Sequence, residues 1–214
     1  MKIKIIFNMF LSYGSWLPQL LFFEIYYLLK GYKRNSAKLL NNDRFTDNIP
    51  CPYFFLHKLK FFILNTDIKS FIDLGCGDGR SIFFFNKQLK INFYGIEYDS
   101  FVYANCKKLF DKDDNIQIIH GDIMSFKFLE YNNDCFFIGD PLKKKNDFDI
   151  LIKKILEKSI KNGKKIYFIV VNIDESKREV FNKYKLLDSF RRNNKGYYIY
   201  SNEIINENTT NQKS

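Results

Sequence analysis

The sequence predicts an α/β protein in which helices cover both faces of a mostly parallel sheet, and three observations predict it. From Lys69 onward, short apolar runs of strand character alternate with longer segments of helical periodicity, as crossover connections require. The first run, Phe71-Ile72-Asp73-Leu74, passes directly into Gly75-Cys76-Gly77-Asp78-Gly79, a glycine turn between a strand and a helix. The chain can also bury such a domain, since 46% of its 214 residues are hydrophobic and 18% aromatic.

In order along the chain, strands are expected at 70–74, 92–97, 116–120, 135–139 and 165–172, with helices near 80–89, 100–110, 147–161 and 175–184. A further helix over 54–64 precedes the first strand, because its apolar residues recur at helical spacing. Residues 186–192, the stretch Asn193-Asn194-Lys195-Gly196 and residues 197–201 read as a hairpin, since Asn and Gly accept left-handed turn geometry. The total is a three-layer sandwich around seven strands with an antiparallel last strand. The domain is expected to span 54–201, followed by a polar, disordered tail at 202–214.

Residues 1–53 form a hydrophobic helical segment and a linker. The stretch 5–29 is dominated by Ile, Leu, Phe, Tyr, Met and Trp and is flanked by Lys2, Lys4, Lys30, Lys33 and Arg34. Its length suits a bilayer span, but Asn8, Gly14, Pro18, Gln19 and above all Glu24 argue against one. Three readings stand: helices packed on the domain or on a partner subunit, an interfacial helix on an anionic membrane surface, or a transmembrane anchor. No small-residue cleavage site follows, as a signal peptide would need. Residues 31–50 read as a linker or lid, and the prolines of Pro50-Cys51-Pro52 hold that stretch extended.

Net charge is +10, a field that would attract RNA, DNA, anionic lipid or acidic substrates. The abundance of Lys, Asn, Ile and Phe suits an AT-rich genome equally well, so charge alone does not choose between these readings. Cysteines at 51, 76, 106 and 135 form no C-x-x-C pair, and His57 and His120 are the only histidines. A metal site or disulfide framework is therefore not expected, and reduced thiols in the cytoplasm are.

The informative motif is Asp73-Leu74-Gly75-Cys76-Gly77-Asp78-Gly79. Glycines at alternate positions let the backbone approach a ligand, and the helix after them offers unpaired N–H groups. A carboxylate at the strand end suits a cationic amino-acid group. The stretch resembles the first motif, [D/E]-x-G-x-G-x-G, of class I S-adenosylmethionine-dependent methyltransferases, which have a Rossmann-like fold. It departs from the dinucleotide fingerprint G-x-G-x-x-G, because Arg80 stands where that needs glycine.

By this resemblance the cofactor is S-adenosyl-L-methionine, and Asp73, Gly75, Cys76, Gly77 and Gly79 would hold its methionine part. Glu97, at the end of the second strand, would take both ribose hydroxyls, and Asp122 of Gly121-Asp122 would meet the adenine amino group. Asp140-Pro141-Leu142, after the fourth strand, resembles in part the [D/N]-P-P-[Y/F] motif of N-methyltransferases, although Leu142 and Lys143 depart from it. Asp140 is the catalytic candidate, with a turn residue before proline as the alternative. Pro50-Cys51-Pro52-Tyr53 before a helix resembles the opening segment of certain lysine methyltransferases of this superfamily, some of them membrane-tethered.

The function expected is methyl transfer to an unidentified acceptor: protein lysine, a sugar or lipid, or another small molecule. Methylation of RNA and a non-catalytic S-adenosylmethionine-binding module are the alternatives. Nucleic acid is the less favoured partner, since no RNA-binding appendage is evident.

Overall fold

The computed structural model describes residues 14–31, 43–46, 49–192 and 195–205. Its centre is one seven-stranded sheet of order β3-β2-β1-β4-β5-β7-β6. These strands are β1 (Ser70–Leu74), β2 (Asn92–Glu97), β3 (Ile116–His120), β4 (Cys135–Ile138), β5 (Tyr167–Val171), β6 (Tyr184–Arg192) and β7 (Lys195–Ile204). Strands β1, β4 and β5 are buried at every position, which explains why they read as continuous apolar runs rather than alternating ones. Only β7 runs against the others; it inserts between β5 and β6 and pairs antiparallel with both.

Helices α1 (Leu17–Leu29), α2 (Tyr53–Leu64), α3 (Arg80–Asn86) and α4 (Ser100–Leu109) lie on one face, packed through Leu20, Phe55, Phe84 and Cys106 onto Phe71, Phe93, Phe137 and Ile169. Helix α5 (Lys145–Lys161) covers the other face, with Leu151 and Ile155 against Ile72, Phe136 and Phe168. The alternation of side chains in the strands thus builds two cores and the three-layer sandwich expected.

Two boundaries differ from expectation for one reason. The helix expected at 175–184 is a single turn, α6 (Glu175–Arg178), followed by a 3-10 turn over Glu179–Phe181. The chain joins β6 already at Tyr184, because β7 continues to Ile204 and offers it a partner. The tail therefore does not begin at 202. The Asn202 side chain accepts from the Ile166 amide (3.0 Å) and donates to the Lys164 carbonyl (2.8 Å), pinning that end to the sheet. Asn193 and Asn194 of the expected turn, and 206–214 of the expected tail, lie outside the described residues.

The hydrophobic N-terminal segment docks on the domain. Pro18 suits the first turn of α1, where no amide donor is needed, and Leu20 and Tyr27 enter the core beside α2. Among the described residues no helix is long and apolar enough to cross a membrane. Residues 1–13 lie outside the described part.

Candidate active site

The sheet order reverses at β1, which has β2 on one side and β4 on the other, so the loops after β1 and β4 diverge and open a crevice at the strand ends. The glycine loop forms its floor. Gly75, Gly77 and Gly79 all have left-handed φ (84°, 54° and 78°). A Cβ on Gly75 would stand 2.9 Å from the Pro141 ring, and one on Gly79 would stand 2.6 Å from Phe110 and 2.8 Å from Cys106. The expectation that glycine serves ligand approach is thereby amended: at both positions the protein's own packing and backbone already demand it.

Glu97 organises this floor. Its Oε2 accepts from the Gly77 amide and its Oε1 from the Asp99 amide, both at 2.8 Å, while Asp99 caps α4. A carboxylate has about four acceptor positions, so these amides leave Glu97 room for a ligand donor. Burial raises its pKa, and the loop amides oppose that rise. Asp73, at the end of β1, is buried, and Ser81 Oγ donates to its Oδ2. Burial pushes its pKa up to about 7, with Ser81 opposing the shift and Glu97 adding to it.

Arg80 lines the same crevice. Its Nη1 donates to both oxygens of Glu24 in α1 (2.9 and 3.0 Å), and its guanidinium lies 4.4 Å from the centroid of Tyr53. The Glu24 carboxylate also accepts from the Tyr53 amide at 3.0 Å. Arg80 Nε is buried and has no hydrogen-bond partner.

Of the stretch read as a linker or lid, the described residues 43–46 and 49–50 form a strap across the mouth, and 32–42 and 47–48 lie outside the described residues. The Thr46 amide donates to Pro141 O (3.1 Å), Lys143 N to Arg44 O (2.8 Å), and Thr46 Oγ1 to Asp140 O (2.7 Å). Phe45 stacks near Tyr98 at 4.6 Å between centroids, and Phe45, Ile49, Pro50 and Cys51 complete the lining.

Of the residues singled out in the sequence, Asp73, Gly75, Cys76 and Glu97 line the crevice. Gly77 and Gly79 set the loop path beneath it. Asp122 does not line it: its carboxylate accepts from the Met124 amide (2.7 Å) and pairs with Arg44 (3.2 Å), while its neighbours Gly121 and Ile123 face the crevice. Asp140 sits between the lining residues Gly139 and Pro141 with φ at 54°, a strained backbone for a non-glycine residue. Its Oδ1 accepts from Lys177 Nζ at 2.6 Å, and the same ammonium donates to Leu142 O at 2.7 Å. The Lys177 side chain is 4% exposed and that of Asp140 26%. Burial raises the Asp140 pKa, and Lys177 pulls it back. Sequence reasoning missed Lys177, Ser81 and Tyr98; a lysine on a one-turn helix carries no local signal of such a role.

Residues 71–163 match the family model of a methyltransferase domain. Three solved structures share the fold. An RNA methyltransferase from Salinibacter ruber, in complex with S-adenosyl-L-homocysteine, is 15% identical, with a TM-score of 0.57 over 74% of this chain and 97% of that one. The S-adenosylhomocysteine-bound methyltransferase PaMTH1 of Podospora anserina is 14% identical, with a TM-score of 0.54 over 71% and 79%. Magnesium protoporphyrin IX methyltransferase from Synechocystis, with S-adenosylmethionine bound, is 10% identical, with a TM-score of 0.50 over 68% and 76%. No curated protein matches the sequence significantly. The chain thus carries a methyltransferase domain over residues 71–163, on a fold shared with methyltransferases solved with S-adenosylmethionine or S-adenosylhomocysteine bound.

The crevice fits that cofactor. Two buried acids stand at adjacent strand ends: one suits an ammonium, and the other retains acceptor capacity for a hydroxyl donor. In the same crevice, the guanidinium of Arg80 suits a carboxylate.

Proposed function

We propose that this methyltransferase acts on an amine, the side chain of a protein lysine fitting best. The observation that carries this reading is Asp140, a carboxylate held in strained backbone at the crevice edge and anchored on one oxygen by Lys177. Asp73, Glu97 and the glycine loop hold the cofactor, and the Asp122 segment closes the adenine end through Gly121 and Ile123. Bound S-adenosylmethionine supplies a methyl group already activated by its sulfonium, so positioning supplies most of what the protein must add.

The chain's own residues then have two tasks. Phe45 and Tyr98 at the mouth give an alkylammonium two aromatic faces and exclude water from its path. Asp140 orients the amine and accepts its proton, through the oxygen not held by Lys177. The strap, residues 43–46 and 49–51, covers the mouth and leaves an entry suited to an extended side chain.

Methylation of RNA is the second reading, favoured by the net charge of +10 and by the activity named for the Salinibacter ruber relative. The two separate on one assay: methyl-labelled cofactor incubated with cell protein and, separately, with total RNA. Label that enters protein and yields methyl-lysine on hydrolysis supports the proposal, and label that enters RNA alone overturns it. Free thiols at Cys51, Cys76, Cys106 and Cys135 support a cytoplasmic setting.

A further inference from the structure

Helix α1 is apolar on both faces, unlike a helix that meets water on one side. Its single charged residue, Glu24, turns inward to Arg80 and the Tyr53 amide. Its outward face carries Leu21, Phe22, Ile25, Leu28 and Leu29, exposed by 48%, 61%, 58%, 37% and 84%. Phe61 of α2 extends this face: its ring touches His57, which accepts or donates a 2.7 Å bond to Tyr27 of α1. A contiguous apolar surface of this kind marks a docking site.

Charge identifies the occupant. Lys30 lies over Tyr26 and Lys60 over Phe61, so cations stand at the rim of the apolar face. Residues 1–42 hold six cations (Lys2, Lys4, Lys30, Lys33, Arg34 and Lys38) and one acid, Glu24, which is withdrawn into the protein. A two-fold dimer through this face would bring the same cations together. A span is ruled out for α1, whose 13 residues reach only about 20 Å against roughly 30 Å of hydrocarbon.

We propose that the outward face of α1, extended by Phe61, lies in the surface of an anionic membrane with Lys30 and Lys60 at the level of the headgroups. The enzyme would be a peripheral one, held by apolar side chains and attracted by lipid charge. Because α1 also grips Arg80, the face that meets lipid is fixed relative to the cofactor crevice.

Flotation of the full chain with vesicles of phosphatidylcholine, with and without phosphatidylglycerol, tests this. Flotation is expected with the anionic vesicles only and should weaken with salt. Phe22→Glu combined with Ile25→Glu should abolish it while cofactor affinity, measured separately, stays unchanged, since both positions face outward. Lys30→Gln with Lys60→Gln should lower partitioning roughly thirtyfold, at about 1 kcal/mol for each basic residue. Failure to float with anionic vesicles overturns the proposal, as does flotation that survives the double glutamate variant. A stable dimer in the absence of lipid that the same variant dissolves would assign the face to a second copy and also overturn it.

Discussion

A carboxylate at the buried end of a central strand is costly to ionise, and this sets the pH behaviour of Asp73. Its pKa of about 7 in the folded chain stands above the roughly 4 of an unfolded aspartate. The sign follows: the stability it contributes is full below about pH 4 and is lost as pH rises through about 7. Denaturant titrations of the ligand-free chain should show stability declining across that window, and Asp73→Asn should flatten the decline; equal slopes would contradict the assignment. A cofactor ammonium favours the ionised form, so affinity for S-adenosylmethionine should improve about tenfold per pH unit up to about pH 7, and Asp73→Asn should remove that dependence.

Asp140 belongs at the same scale. Asp140→Asn should leave cofactor affinity nearly intact and lower turnover by roughly 10²–10⁴, as expected for a lost proton acceptor. Loss of cofactor binding instead would move it into the cofactor shell, and unchanged turnover would remove it from the reaction. Asp73 and Glu97 were legible in the sequence because each ends an apolar run, and strand ends meet at one edge. Lys177 was not, since only the packing of α6 against the β4 exit brings it to Asp140. Asp122 was read from the sequence as the adenine contact, whereas its carboxylate caps the next turn and pairs with Arg44.

Among the elements, α1 and the strap depend most on contacts distant in sequence. Glu24 reads in the sequence as a residue that keeps a helix out of a membrane; its partner Arg80 lies 56 residues away, so its inward direction could not be read. Removing one partner leaves a largely buried charge. Glu24→Gln should therefore cost about 2–4 kcal/mol in urea unfolding, between the ranges for exposed and fully buried pairs. Glu24→Gln with Arg80→Met should cost less than the two single changes summed, since each single change orphans the other residue. Additive losses would show that the pair is not coupled. Helix α1 itself and the hydrophobic α2 were legible from their apolar runs. The strap was legible only as a polar stretch ending in Pro-Cys-Pro, because its bonds to Pro141 and Lys143 are backbone pairings that any sequence could make and its Thr46 hydroxyl bond reaches the Asp140 carbonyl 94 residues away.

For the whole molecule, alternating patterns and one glycine motif carried most of the fold: seven strands, two helical layers and the crevice at the strand ends. What they could not carry was the length of the β6–β7 hairpin, since strand pairing overrode the helical periodicity after Glu175. The same pairing places β7 between β5 and β6 and leaves β3 and β6 as the sheet edges.

The crevice between the glycine loop and the strap is built to hold S-adenosylmethionine. Calorimetric titration of the chain with S-adenosylhomocysteine, and in parallel with NAD, tests it most directly. Saturable binding of S-adenosylhomocysteine at one site is expected, abolished in Gly77→Val, where a β-branched side chain would have to adopt the left-handed φ of 54° beside Glu97. No heat is expected from NAD. Saturable binding of NAD with no response to S-adenosylhomocysteine, or affinity for the latter undiminished in Gly77→Val, would contradict this reading of the crevice.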